Sequence, residues 1–489
     1  MKYAVAVCLL IALCLTSGPA EGSVRLSEQA VTYTNFNFVR YATASLKRVY
    51  FATTNGVIIY NKDRARWDQP LRLPREATDV LRLWVDTFDE VLYIETPTSY
   101  YEYDVTLDAW FPLIDLPQVR NPDVRHLSLP RNMIPPIGFN YSADGDLIDP
   151  SGRSYAVTEM IDDGSGTLWI GTWGYGVAKA NATTNTMELL PYGLLQSRVN
   201  AMYADGPQLF VSGAVFGDYR TGITVIDREE NSFDYIETGV DFSIESYDIN
   251  CLEGDDESIY VGTPYGLYVF DRGNRSVREH YDGSRGLSDD NVISLYKLGD
   301  SLFIGTASGL TLMSFSRDSI FYVSPEEFSG QVIYALEPSD KYMWIGSENG
   351  AYRFRLNDGA LQRFRDPSNI LFSSVYAIER FENFLWLAAD DGVVQVNLRT
   401  ADVTPYREQL YNRGGRALAV NADIAAISSD NGVTFIFHGR SESYTREFTI
   451  DDGLASDLVF SLRMDGRYLW IGTDEGLTRF LWDNPRRVD

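Results

Sequence analysis

The chain has 489 residues, 45% of them hydrophobic and 13% aromatic, so it holds apolar material for a large packed core and is not a disordered tail. Asp and Glu number 68 against 42 Lys and Arg, a formal charge of −26. That excess argues against a nucleic-acid partner, because phosphate recognition needs a basic footprint; it suits a self-repelling surface or a cationic or metal-bridged partner.

The first segment, MKYAVAVCLLIALCLTSGPAEG (1–22), reads as a secretory signal peptide. Lys2 precedes a short apolar run, Ser17, Gly18 and Pro19 follow it, and Ala20 with Gly22 form a small-x-small cleavage site before Ser23. The run is too short for a comfortable spanning helix. A lipid anchor at Cys14 is disfavoured, because Leu13 stands where a lipoprotein signal wants Gly, Ala or Ser. No later stretch is long and apolar enough to span a membrane, so an exported protein is expected, periplasmic or at the cell surface. Cys8 and Cys14 leave with the leader; Cys251, in YDINCLEG, remains as a small buried hydrophobe with no disulfide partner.

From 49 onward one phrase recurs: apolar-aromatic-apolar-Gly-Thr, a short variable turn, Gly, then an alternating apolar run. Clear copies are VYFATTNGVIIY (49–60), LWIGTWGYGVAKA (168–180), IYVGTPYGLYVF (259–270), LFIGTASGLTLM (302–313), MWIGSENGAYRF (343–354), LWLAADDGVVQV (385–396), AAISSDNGVTFI (425–436) and LWIGTDEGLTRF (469–480). Looser copies are LYIETPTSYYEY (92–103) and LFVSGAVFGDYRTGITVI (209–226). The turn glycines at 266, 309, 350, 392, 432 and 476 are spaced 43, 41, 42, 40 and 44 apart, a period that matches one four-stranded propeller blade.

Each copy reads as two strands of such a blade. The LWIGT strand carries an aromatic (Trp169, Tyr260, Phe303, Trp344, Trp386, Trp470) to fill the space between sheets, and its glycine allows close backbone approach. DEG, DNG, ENG and DDG are hairpin turns, and LTRF is the returning strand, alternating in period two. Segments such as NVISLYKL (291–298) and LVFSLRM (458–464) are the innermost strands, and SVREHYD and LQRFRD the outer ones. The last unit has no outer strand of its own, while QAVTYTNF (29–36) offers one. An N-terminal strand completing the last blade would close the ring and bury both edges.

The expected fold is therefore an all-β propeller over 23–489, with about ten repeat units in one large ring closed by the N-terminal strand. The alternative is a seven-bladed ring from about 184 to 489 with a smaller N-terminal lobe, since ten or eleven blades exceed the usual four to eight. Residues 117–152, rich in Pro and Gly, are a loop insertion or a decayed blade.

DDGSGTLWIGTWGYGV (162–177), SRGLSDDNVISLYKLGDSLFIGTASGL (284–310) and DDGLASDLVFSLRMDGRYLWIGTDEGLTRF (451–480) resemble the two-component regulator propeller repeat. The resemblance covers nearly all of the mature chain and is weakest over 61–155. It implies a β-propeller of the kind known as the periplasmic sensor half of bacterial hybrid histidine kinases, where carbohydrate fragments are sensed. With no kinase region or membrane helix before Asp489, the chain resembles a free-standing secreted or periplasmic member, a class that includes accessory surface and secretion-associated proteins.

Catalytic signals are sparse. His126, His280 and His438 stand in different repeats, and there is no H-x-x-x-H, C-x-x-C, G-x-S-x-G or phosphate loop, so no metal and no cofactor is expected. Asp162 and Asp163 offer carboxylates for calcium without a complete EF-type loop. Asp390-Asp391, Asp474-Glu475 and Glu348-Asn349 occupy the same hairpin turn in different blades, which predicts a solvated ring of charge before a catalytic pair.

Binding is the stronger expectation. Loops crowding one face of the ring carry Trp173, Tyr175, Tyr265, Asp289, Asp290, Asn291, Asp390, Asp391, Asp430, Asn431, Asp474 and Glu475. Aromatic rings beside carboxylates and amides suit sugar stacking and hydroxyl hydrogen bonds. Trp173 and Tyr175 serve equally well as blade-to-blade packing, and the acids as ordinary turn residues. The sequence thus predicts a non-catalytic extracytoplasmic propeller that binds a bacterial glycan or an envelope or secretion partner. The alternative is a glycan-degrading hydrolase or lyase using carboxylates and tyrosines of the central channel.

Overall fold

Each recurring phrase folds as two adjacent central strands of an antiparallel sheet, four-stranded except at 168–180, where it has five, as in Tyr468–Thr473 and Leu477–Leu481 or Ser301–Thr306 and Gly309–Ser314. The conserved letters have separate tasks. Trp386 and Trp470 are fully buried between sheets. The threonine hydroxyl donates to the carbonyl of the turn glycine, at 2.9 Å from Thr473 to Gly476 and 3.0 Å from Thr306 to Gly309, which fixes the turn. The strand glycine marks where the next blade presses in. A Cβ on Gly305 would lie 2.9 Å from the Ile333 carbonyl oxygen, and one on Gly472 would lie 2.6 Å from Val199 Cγ1.

The computed structural model describes residues 30–483, apart from short stretches within 75–78, 87–89, 105–108, 120–123, 131, 215–219, 240–247, 318, 408–414 and 439–443. The leader at 1–22 lies outside the described residues. Among those described, no helix is long and apolar enough to cross a membrane.

Seven sheets form a closed ring. Their inner strands are Ala201–Asp205, Cys251–Gly254, Val292–Leu298, Ile333–Pro338, Val375–Phe381, Leu418–Val420 and Val459–Asp465. Each packs on the next, and the last packs on the first. Ala30–Tyr33 pairs antiparallel with Leu477–Leu481, Val31 opposite Arg479, and so supplies the missing outer strand of the seventh blade. Closure by the N-terminal strand is thus as the sequence implied, but the single large ring is corrected to the seven-bladed arrangement with a smaller lobe. The physical reason lies in the contacts at Gly472. That glycine seats against Val199 at the start of the first ring blade, so seven blades already close and leave no gap for more.

The lobe holds three further blades in an arc. Val39–Ala44 is the inner strand of the middle one and packs against Val157–Asp162 on one side and Arg82–Asp86 on the other. The 117–152 segment is an insertion: Arg125–His126 adds to the inner edge of the Val157–Asp162 sheet, and Asn140–Tyr141, Leu147–Ile148 and Ser154–Tyr155 form a small meander.

Lobe and ring share one core. Tyr33, Phe36, Trp67, Trp169, Tyr192, Val199 and Trp470 belong to a single buried cluster, with Trp67 stacked on Tyr192 at 4.7 Å between ring centroids. A buried ion network crosses the same seam. Arg220, 2% exposed, bonds Glu237 through Nε at 3.0 Å and Nη2 at 2.8 Å, and Arg153 of the lobe also pairs with Glu237 while bonding Asp149 at 2.9 Å. Charges so deeply buried persist only when paired and hydrogen-bonded.

Candidate functional site

The ring mouth on the side of the hairpin turns is shaped by one repeated irregularity. The inner strands carry a register shift between Val292 and Ser294, Ile333 and Ala335, Val375 and Ala377, and Val459 and Ser461. A bulge frees one residue from the ladder and re-aims its side chain. The freed residues are Ile293, Tyr334, Tyr376 and Phe460. Tyr334 and Tyr376, from neighbouring blades, stand 4.9 Å apart, Arg416 lies 5.2 Å over Tyr376, and Arg198 lies 4.2 Å over Phe460. The mouth is therefore lined by aromatic rings with guanidinium groups on their faces.

Between this mouth and the lobe runs a cleft. It consists of two cavities of about 380 and 550 Å3 whose walls share Thr54, Asn55, Ser197, Asp474 and Glu475. The larger one also has Phe38 and Asn35 from the lobe and Arg198, Arg220 and Phe460 from the ring. Its size and its mix of aromatic faces with a few polar groups are those of a small-molecule site. One carboxylate oxygen of Asp474, Oδ1, is buried and has no hydrogen-bond partner among the described residues. Asn55 donates to the Asn35 carbonyl at 2.8 Å, which holds one wall in place.

The twelve residues singled out from the sequence are dispersed. Asp474 and Glu475 line the cleft. Asp390 sits beside Tyr376 at the mouth, where its charge and hydrogen bond add to burial in raising the tyrosine pKa, while Asp391 pairs with Arg407 at 3.6 Å. Asp289 and Asp290 accept the backbone N–H groups of Asn291 (2.9 Å) and Gly283 (2.7 Å), and Asn291 accepts from Asn250 at 3.0 Å, so all three brace the loop before the third ring blade. Asp430 and Asn431 form the turn before Gly432, and Tyr265 is 55% exposed in its own turn. Trp173 and Tyr175 lie in the lobe. Trp173 packs edge-on to Phe38 at 5.2 Å beneath Arg40. Tyr175 lies between Phe139 and Tyr155 with the Arg220 guanidinium 3.7 Å from its ring. Asp163 is held by Lys62 at 2.8 Å and Trp169 Nε1 at 3.1 Å, and Asp162 by Arg125 at 3.3 Å. No cluster of three or more His, Cys, Asp or Glu suited to a metal occurs among the described residues.

Inside the ring the inner strands place one residue per blade at a single level, opposite the blade aromatic in six blades and opposite Ala426 in the sixth. In blade order these are Tyr203, Glu253, Tyr296, Glu337, Glu379, Ala419 and Arg463. Three carboxylates thus share the level with one arginine. Burial pushes Glu253 up to about 7 and Glu379 up to about 7, the latter against the pull of Arg463. Glu337 is pushed up to about 9, first by burial and then by the charge of Glu379. Burial likewise raises Tyr203 and Tyr296, each to about 12. At neutral pH Glu337 therefore carries its proton and can donate.

Sequence reasoning passed over these residues because it followed the turns. The column opposite the aromatic, and the position freed by each bulge, could have been read by aligning the inner strands to the turn glycine. It also set aside His126. That ring bonds the Tyr41 hydroxyl through Nε2 (3.3 Å) and the Glu159 carboxylate through Nδ1 (2.9 Å), which ties the insertion to two lobe blades. No local spacing announces this contact, since the three residues come from separate segments.

Compared with family models and with curated proteins, the chain matches none. Among solved structures it is similar to PorZ, a bacterial surface component of the type-IX secretion system of Porphyromonas gingivalis. The TM-score is 0.57 at 13% identity, over 92% of this chain and 87% of that one. It also aligns with the extracellular domain of a putative one-component system, BT4673, from B. thetaiotaomicron, with a TM-score of 0.46 at 14% identity over 91% of this chain and 63% of that one. The first likeness establishes the multi-bladed β-propeller fold.

Proposed function

We propose that this chain is a non-catalytic, exported binding propeller whose ligand occupies the cleft between ring mouth and lobe. The observation that carries the reading is the pair of connected cavities with Phe38 and Phe460 on their walls and an unpartnered buried oxygen on Asp474. A buried polar atom without a partner costs free energy that a ligand donor would offset. The leader-like segment at 1–22 and the resemblance to two-component regulator propeller repeats support export and a ligand drawn from the bacterial envelope, a glycan or a surface or secretion component. The test is binding of the purified chain to arrayed envelope glycans and to separated envelope proteins. Wild type binds; Phe460→Ala and Asp474→Asn weaken binding about tenfold each. Equal binding by all three refutes the cleft as the site.

A second, catalytic reading has one observation in its favour. The channel level that joins Glu337 to Glu379 pairs a protonated carboxyl with one titrating near neutrality, the pattern of an acid and a base held apart by environment. Release of reducing ends or unsaturated products from acidic or neutral polysaccharides, abolished by Glu337→Gln, would support it. No product from any of them rejects it.

A further inference from the structure

Three charged side chains in the larger cavity have no ion-pair partner among the described residues: Arg198, Asp474 and Glu475. In a chain with 68 acidic residues, an arginine left without a carboxylate in a cavity calls for an explanation. Arg198 is not loose. Its Nε donates to Asn200 Oδ1 at 2.9 Å and its guanidinium lies over Phe460, so the plane is fixed while the terminal nitrogens have no protein acceptor among the described residues. Beside it, where the Val199 N–H bonds the Thr473 carbonyl at 2.8 Å, stand two adjacent carboxylates, Asp474 and Glu475, without a protein donor among the described residues, and Oδ1 of Asp474 is buried.

A ligand must satisfy both signs of charge at once. A plain anion would find Arg198 but also meet Asp474 and Glu475 in the same cavity, and a plain cation would meet the reverse. A neutral polyol would serve the buried oxygen and leave the charges of both signs without a counter-charge from the ligand. We propose that the cleft takes a small zwitterionic ligand, with its anionic group seated on Arg198 and its ammonium between Asp474 and Glu475, and its apolar body against Phe38 and Phe460. This rests on the cleft being the binding site and names the chemistry of what enters it. Two sources offer that chemistry, a short peptide with free ends and an amino sugar bearing a carboxylate.

Calorimetric titration of the full chain separates them. The probes are Ala-Gly-Ala with free ends, its N-acetylated and C-amidated forms, muramic acid and its N-acetylated form, with cellotriose as the neutral control. The expected result is that the free zwitterion of one source binds, and that each blocked form of it binds at least about tenfold more weakly. The Asp474→Asn, Glu475→Gln double variant should lose the preference for a free amine and keep the preference for a free carboxylate. Arg198→Gln should do the opposite. Such a split in preference does not arise from a variant that merely folds poorly. Blocked and free forms binding alike, either variant keeping both preferences, or no zwitterion binding at all overturns the proposal. Cellotriose binding that Phe460→Ala weakens, without any zwitterion binding, removes this inference and leaves the cleft standing as the site. Loss of the cleft itself would show as binding of any probe that neither Phe460→Ala nor Asp474→Asn alters.

Discussion

Replacing Glu337 by glutamine should stabilise the protein in alkaline solution and do little in acid. Glu337 sits in the ring channel with a pKa pushed up to about 9 from its ordinary 4.5, by burial and then by Glu379. The folded state therefore holds its proton at pH values where the unfolded chain has released it. Stability contributed by such a group is fully present below the unfolded pKa and drains away as pH rises toward the folded one. At pH 8 the gap from 4.5 spans 3.5 units, which at 1.36 kcal/mol each is about 5 kcal/mol, and partial contact with channel water reduces this to ~2–3 kcal/mol. Glutamine keeps the shape of the protonated acid and removes the cost. If the ring unfolds as one unit of about 290 residues, the melting temperature at pH 8 should rise by ~4 °C, and the two proteins should melt together near pH 4.5. Calorimetric scans at pH 4.5, 6, 7 and 8 measure the gap. A gap independent of pH, or a variant less stable at pH 8, would refute the reasoning.

Three further outcomes follow from packing. Gly472→Ala places a Cβ 2.2 Å from Ser461 Oγ and 2.6 Å from Val199 Cγ1, and should cost ~1–3 kcal/mol in denaturant melts without altering the spectrum of the folded state. Tyr33→Ala removes a side chain 1% exposed whose hydroxyl donates to Asn231 at 2.8 Å, and should cost ~3–5 kcal/mol while exposing the seventh blade to limited proteolysis. Burial drives the Cys251 thiol well above its ordinary pKa, so alkylation by iodoacetamide at pH 8 should be at least about tenfold slower in the native protein than in urea; equal rates would show the site to be open.

The repeat made the blades legible because every blade solves the same problem. Thr473 must tie its turn, Gly472 must admit its neighbour and Trp470 must fill the wedge, so the letters recur. Ring size was less legible, since one blade looks alike in rings of seven or ten; closure depends on where Val199 lands, which is a property of the whole circuit. The candidate site was legible only at Asp474 and Glu475. The turns that attracted notice are mostly bound to their own loops, as Asp290 is to Gly283. The cleft instead draws on Phe38 and Asn55, far from Phe460 in sequence, and arises from the docking of lobe on ring. Tyr175, for which binding and packing stood level, is taken up by the seam through Arg220.

The pairing of Ala30–Tyr33 with Leu477–Leu481 has a consequence for how the molecule is made. The strand synthesised first among those described finds its partner last, after some 440 further residues have been made. Until then it has no hydrogen-bond ladder to join, and the three-bladed lobe, spliced between this strand and the remainder of the ring, rests on a foundation still to be delivered. The lobe can gather its own sheets early, but its seat on the ring waits for the circuit to shut. The smaller cavity, lined by Thr32 from this strand and by Asp474 and Glu475 from the last blade, is complete only once the two ends have met.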